Sequence, residues 1–217
     1  MKLYEKYRPK TLDEIIGQEK AMASINKVLK LEGDAGQSWY ISGPTGTGKT
    51  SCALCLARRV APEYQIHQLN AGTMTLDDLR EIEHKAGFKA ISGKGSAWII
   101  DEAHLLSKRL VSSFLGLTEM IAEKGRDVII FTSSWENEGS IFEENMDGTP
   151  LAGRCNMIHF TSRGFADAVE KRLVEIAKEE NMEFSPEMAK KILIKLGKDK
   201  KRSASSIRDA IQEMVAA

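Results

Sequence analysis

The sequence predicts an α/β protein: a P-loop core with a five-stranded parallel sheet between helices over residues 1–161, followed by a small all-helical domain over 162–217. Three observations predict it. Short apolar runs alternate with longer mixed segments up to Phe160, which is the rhythm of a parallel sheet with helical crossovers. A glycine-rich phosphate-binding pattern sits where the first strand turns into a helix. After Phe160 the strand signals stop, and Thr161–Gly164 reads as a hinge into a segment of helix-period patterns alone.

In chain order, Ser24–Leu31 spaces its apolar residues three and four apart, as an amphipathic helix requires. Trp39–Ser42 is a short apolar run and reads as the first strand, Thr50–Val60 as a helix, Gln65–Asn70 as a strand and Leu76–Ala86 as the next crossover helix. Ala97–Asp101 is a third strand, Lys108–Ala122 a helix, and Val128–Thr132 and Asn156–Phe160 are the last strands. Phe165–Glu180, Ser185–Leu196 and Ser205–Met214 follow as helices, the second opened by Ser185 as N-cap and Pro186 at N1. Trp39 and Trp98 belong to the core, whereas Trp135 is placed on a loop, exposed at an interface.

Composition narrows the function classes. The 217 residues are 42% apolar and 29% charged, enough to bury a sizeable core. With 31 basic and 31 acidic residues, the chain is not held to DNA or membrane by bulk charge, so any nucleic-acid contact is a local patch. No apolar run approaches the ~18 residues of a membrane span, and the start lacks a signal peptide's apolar stretch, so a soluble, cytoplasmic protein is expected. Cys52, Cys55 and Cys155 offer neither a disulfide framework nor a four-Cys zinc site; the first two are read as packing thiols. His67, His84, His104 and His159 are too scattered for a metal set.

The pattern G-x-x-x-x-G-K-[ST] is filled by Gly43, Pro44, Thr45, Gly46, Thr47, Gly48, Lys49 and Thr50. Its glycines let backbone N–H groups point at the β- and γ-phosphates of ATP, Lys49 brings charge to the same oxygens, and the following helix, through Ser51, presents its positive end. Thr50 is an expected Mg²⁺ ligand. The other half of the site is the apolar strand ending in Asp101 and Glu102: Asp101 is expected to hold hydrated Mg²⁺ and Glu102 to polarise the attacking water. Asp101–His104 also spells the acidic box of helicases, whose other motifs are not apparent.

On these residues the chain resembles the AAA+ ATPases, and within them the clamp-loader subunits: replication factor C small subunits and bacterial tau/gamma. Residues 5–18 are similar to that family's opening box, which implies that Tyr7, Arg8, Pro9, Ile16 and Gly17 pack on the adenine. The resemblance implies that Asn70 restrains Glu102 until DNA arrives. It places sensor 1 on residues 129–134, with Ser134 the best match and Ser133 and Thr132 as alternatives. Gly153-Arg154-Cys155 resembles the family's Ser-Arg-Cys motif, so Arg154 is matched to the arginine finger that enters a neighbour's site. Gly153 departs from the motif, and 138–152 is longer than the family's loop. Arg208 matches sensor 2 of the helical lid.

The same resemblance makes Thr73, Thr75, Arg80, Lys108 and Arg109 candidate DNA contacts. The basic turn of Lys195, Lys198, Lys200, Lys201 and Arg202 is read as a solvated loop or a phosphate contact. That family continues past its lid into a helical collar, whereas this sequence stops at Ala217; it is either a fragment or a differently assembled short protein. The implied activity is Mg²⁺-dependent ATP hydrolysis that loads a ring-shaped sliding clamp on primer-template DNA. The implied partners are other AAA+ subunits, the clamp and that DNA, with no membrane. The alternatives are another AAA+ DNA motor, for branch migration or helicase loading, and an ATP-dependent assembly scaffold with little turnover.

Overall fold

The computed structural model describes residues 2–87, 94–134, 151–198 and 206–216. Five strands, β1 (Gln37–Gly43), β2 (Ile66–Asn70), β3 (Ala97–Asp101), β4 (Val128–Ser134) and β5 (Asn156–His159), pair in parallel in the order β2-β3-β4-β1-β5. The three central strands are buried nearly throughout, which is why they read as continuous apolar runs; the edge strands β2 and β5 carry the polar residues His67, Gln68, Asn156 and His159. Each expected strand is present. β4 runs on to Ser134 because its serines pair with Ser42 and Gly43, a polar end that apolar patterning does not register.

Alternation along the strands sorts the core into two layers. Trp39, Ile41, Ile99 and Ile130 face helices α2 (Glu19–Glu32) and α3 (Lys49–Val60). Tyr40, Trp98, Ile100, Ile129 and Phe131 face α4 (Leu76–Gly87) and α5 (Lys108–Lys124). The stripe Leu110, Phe114, Leu117 and Ile121 makes α5 dock, with Phe114 edge-on to Phe131 at 5.1 Å between centroids. Its ends are set by Ser107, whose Oγ accepts from the Leu110 N–H at 3.3 Å, and by Gly125 at φ 62°. Cys52 and Cys55 are core residues on α3; burial pushes both thiols up, Cys55 to about 11.

Helices α6 (Phe165–Glu179), α7 (Pro186–Lys198) and α8 (Ile207–Ala216) enclose a third cluster around Val169, Leu173, Ile176, Ala189, Leu196, Ile211 and Met214. A short helix, α1 (Leu3–Lys6), was not expected: Leu3, Tyr4, Tyr7 and Ile16 pack on this cluster, while Leu12 and Ile15 join the sheet side. The N-terminal segment therefore spans both units. Gln18, 2% exposed, fastens the span: its Nε2 donates to the Thr161 carbonyl at 2.9 Å and its Oε1 accepts from the Thr161 N–H at 3.0 Å. Among the described residues, no helix is long and apolar enough to cross a membrane.

Candidate nucleotide-binding site

The glycine-rich turn leaves β1 at Gly43 and enters α3 at Lys49. Gly46 and Gly48 take φ of 84° and 99°, which side chains rarely adopt. A Cβ on Gly46 would stand 2.7 Å from Ser206, the residue ahead of α8, so the C-terminal helices and the turn meet across this glycine. Thr47 Oγ1 donates to the Pro44 carbonyl at 2.8 Å and holds the turn, while Thr45 is exposed. Lys49 is 6% exposed and donates from Nζ to the Gly43 and Pro44 carbonyls at 2.9 and 2.8 Å. Burial pushes its pKa down to about 8, against the pull of Glu102 and Asp101. A cationic, glycine-lined turn at a helix N-terminus fits a phosphate chain.

Asp101 ends β3 beside this turn. Its Oδ1 accepts from Thr50 Oγ1 at 3.2 Å and also from Thr132 Oγ1. Hydroxyl and carboxylate oxygens are hard donors, and Mg²⁺ keeps most of its own waters, so this pair fits Mg²⁺. Among the described residues there is no group of three or more His, Cys, Asp or Glu that could hold a metal ion.

The sensor candidates separate by face. Thr132 and Ser134 point to the α3 side with Asp101, whereas Ser133 points to the α5 side, its Oγ 3.4 Å from His104 Nδ1. Ser134 lies opposite Gly43, where the turn begins, and Thr132 is tied to Asp101. Glu102 has φ 57° and ψ 43°, and its Oε2 is 3.4 Å from His104 Nδ1. Asn70 is paired in register with Asp101, and its Oδ1 accepts from the Gly72 N–H at 2.8 Å.

Distant segments gather around the start of α3. Arg8 Nε donates to Ser51 Oγ at 3.4 Å, and burial together with nearby Arg208 holds its pKa below the usual guanidinium value. Arg208, in the first turn of α8, lies 5.6 Å from the Tyr4 ring centre. The Pro9 carbonyl accepts from Cys55 Sγ at 3.6 Å. Ile16 packs on the cluster of α6, α7 and α8, and a Cβ on Gly17 would stand 2.7 Å from the Phe165 ring. Tyr7 Oη donates to Glu180 Oε1 at 2.6 Å, which raises the phenol's pKa. Sequence reasoning missed Tyr4, Gln18, His104 and Ser206 as parts of this surrounding; only the helicase-like spelling drew attention to His104.

Arg154 lies elsewhere. It closes a 3-10 turn ahead of β5, with Nε and Nη2 on Glu119 Oε1 of α5 at 2.8 and 2.6 Å. β5 begins opposite Trp39, so Arg154 is near the sheet edge where β1 starts, whereas the glycine turn is at the edge where β1 ends. At ~3.3 Å per residue the two edges are roughly 20 Å apart.

Thr73, Thr75, Arg80, Lys108 and Arg109 are all exposed at the starts of α4 and α5. Thr75 and Asp78 cap α4 through bonds of 2.7 Å, Thr73 Oγ1 donates to the Asn70 carbonyl at 3.3 Å, and Arg80 pairs with Asp77. Lys195 pairs with Glu213. Trp135, residues 138–150 and Lys200, Lys201 and Arg202 lie outside the described residues.

The profile of the ATPase family associated with various cellular activities (AAA) matches residues 39–147. A replication factor C small subunit from Methanosphaera stadtmanae is 30% identical over 184 residues, 82% of this chain and 53% of that protein. Replication factor C subunit 3 of Saccharomyces cerevisiae is 30% identical over 201 residues, 88% of this chain and 54% of its own. DNA polymerase III subunit gamma/tau of Mycobacterium tuberculosis is 29% identical over 166 residues, 64% of this chain and 28% of that one. The chain thus spans about half the length of the replication factor C relatives it matches. A solved RuvB variant from Thermotoga maritima shares the fold, with a TM-score of 0.69 at 20% identity, covering 97% of this chain and 65% of the other.

Proposed function

Because the chain belongs to the ATPase family associated with various cellular activities (AAA), we propose that it is the ATP-hydrolysing module of a sliding-clamp loader acting on primer-template DNA. The observation that carries the ATPase part is the apposition of Lys49 on the glycine turn with the Thr50–Asp101 pair beneath it. The clamp-loading part rests on the relatives named replication factor C and DNA polymerase III gamma/tau, and carries with it an assembly of several such subunits.

In this reading Lys49 exchanges its two carbonyl partners for oxygens of the β- and γ-phosphates, and the α3 N-terminus adds its dipole. Mg²⁺, held by Thr50 and Asp101, would neutralise charge on the phosphate oxygens. Glu102 takes the proton of the attacking water, and Ser134, beside Gly43, orients that water or the γ-phosphate. Arg208 reaches the phosphates from the lid, and Arg154, far from its own turn, serves a neighbouring subunit's ATP. Tyr7, Arg8, Pro9, Ile16 and Gly17 form the adenine side. Thr73, Thr75, Arg80, Lys108 and Arg109 face the DNA backbone.

The test is steady-state ATPase of the full natural chain, with Mg²⁺ or with chelator, in the presence of primed DNA and candidate clamps. Mg²⁺-dependent turnover raised by primed DNA and clamp together supports the reading. Stimulation by a branched junction or a helicase instead would assign a different DNA motor. Tight ATP binding without turnover would assign a scaffold.

A further inference from the structure

Ser206 caps α8, its Oγ accepting from the Asp209 N–H at 3.3 Å and its carbonyl from the Ala210 N–H at 3.0 Å. The same residue lies against Gly46, so the first turn of α8 is set over the glycine turn. Arg208 stands in that first turn, exposed, with its guanidinium carbon 5.6 Å from the centre of the Tyr4 ring. Tyr4 is half-buried and packs with Leu3 and Tyr7 on the cluster of α6, α7 and α8, which fixes its ring. Arg208 also lies close enough to Arg8 for the two charges to repel, and Arg8 Nε donates to Ser51 Oγ at 3.4 Å in the first turn of α3. Among the described residues neither guanidinium is held by an ion pair.

We propose that Tyr4 is a positioning residue: its ring holds the Arg208 guanidinium at the mouth of the phosphate site, against the repulsion of Arg8, until a nucleotide arrives. The proposal rests on the reading of Arg208 as a phosphate contact. A ring face attracts the cation as a whole and takes up none of its N–H groups with a lone pair, so the donors remain for phosphate oxygens. A carboxylate in the same place would occupy two of those donors in a bidentate pair and compete with phosphate. The aromatic ring thus steadies Arg208 in the empty site and yields it, already oriented, to an anion. Lys2 Nζ, 5.8 Å from the same ring centre, is a weak competitor, because its exposed ammonium is strongly hydrated. With phosphate bound between Arg8 and Arg208, their repulsion gives way to a shared attraction, and the N-terminal segment, the glycine turn and α8 close on one anion.

The test is a double-mutant cycle on ATP affinity, read by calorimetry with Mg²⁺ on the full chain, together with a direct view of the arginine. Tyr4→Leu keeps an apolar body on the helical cluster and removes the π face; its Kd for ATP is expected to rise roughly two- to fivefold, the worth of one part-exposed cation–π contact. Tyr4→Phe keeps the face and is expected to bind as wild type does. In an Arg208→Met background, Tyr4→Leu is expected to change nothing further. The Arg208 Nε–H resonance of the nucleotide-free protein, shifted by the ring current, is expected to move in Tyr4→Leu and to stay in Tyr4→Phe. Wild-type affinity in Tyr4→Leu, an equal loss in Tyr4→Phe, or the same loss in the Arg208→Met background overturns the proposal, as does a resonance indifferent to Tyr4→Leu. If wild type binds no ATP while the resonance still moves, the nucleotide reading falls and the hold of Tyr4 on Arg208 stands.

Discussion

Replacing Lys49 with Met is expected to remove ATP binding and, in the free protein, to abolish a rise of stability with pH between about 8 and 10.5. A buried ammonium is paid for in folding: its pKa falls from 10.5 to about 8. At about 1.36 kcal/mol per tenfold change in proton affinity, that fall is a penalty of roughly 3 kcal/mol at pH 7. Against it stand the two bonds from Nζ to the Gly43 and Pro44 carbonyls, each worth about 1.5–3 kcal/mol because the donor is charged. At pH 7 wild type is therefore as stable as Lys49→Met, or more stable by up to about 3 kcal/mol. The pH dependence follows from the lowered folded pKa. Below pH 8 both states hold the proton and the penalty is full; between about 8 and 10.5 the unfolded chain binds more protons, so wild-type stability climbs with pH. Urea unfolding followed by the fluorescence of buried Trp39 and Trp98 measures both proteins from pH 6.5 to 10.5. The margin of wild type over the variant should widen by roughly 3 kcal/mol across the upper part of that range. A margin that stays flat from pH 8 upward would refute the account of Lys49 as a buried cation held ready for phosphate.

Three further outcomes are expected. Glu102→Gln should keep ATP affinity in calorimetry while turnover falls on the order of a hundredfold or more, because the amide cannot take a proton from water; equal turnover removes Glu102 from the mechanism. Arg154→Ala mixed with Lys49→Met should recover part of the activity that each lacks alone, since one keeps its P-loop and the other its finger. Wild-type specific activity should rise with protein concentration, and a flat profile with an inactive mixture would place hydrolysis within one chain. Gly46→Ala should cost about 1–2 kcal/mol of stability through its φ of 84° and weaken ATP binding by pressing on Ser206, and unchanged melting and affinity would count against the lid contact.

The strands and the glycine turn were legible because their signals are local. Trp39–Ser42 and Ala97–Asp101 are apolar enough to need burial on both faces, and a G-x-x-x-x-G-K-[ST] pattern between strand and helix has few other uses. What could not be read is contact between distant segments. Gln18 meets Thr161, Tyr4 meets Arg208 and Gly46 meets Ser206 across long stretches of chain, where no local pattern links the partners. The helix α1 is too short for any period to show. Choosing among Thr132, Ser133 and Ser134 needed the sheet, since alternation assigns faces only once the register with Gly43 and Asp101 is known.

Arg154 and the glycine turn occupy opposite edges of one parallel sheet, which gives the chain a head and a tail. If, as proposed, the arginine acts on a neighbour's ATP, giver and receiver sit roughly 20 Å apart on one chain, which suits subunits queued in one direction better than a two-fold pair. A queue that closes completes every site; one that rises as it turns stays open, leaving the last subunit's nucleotide without an arginine and the first subunit's arginine without a nucleotide. An open assembly of identical chains would then hydrolyse ATP unevenly along its length, and the order of firing would be set by position alone.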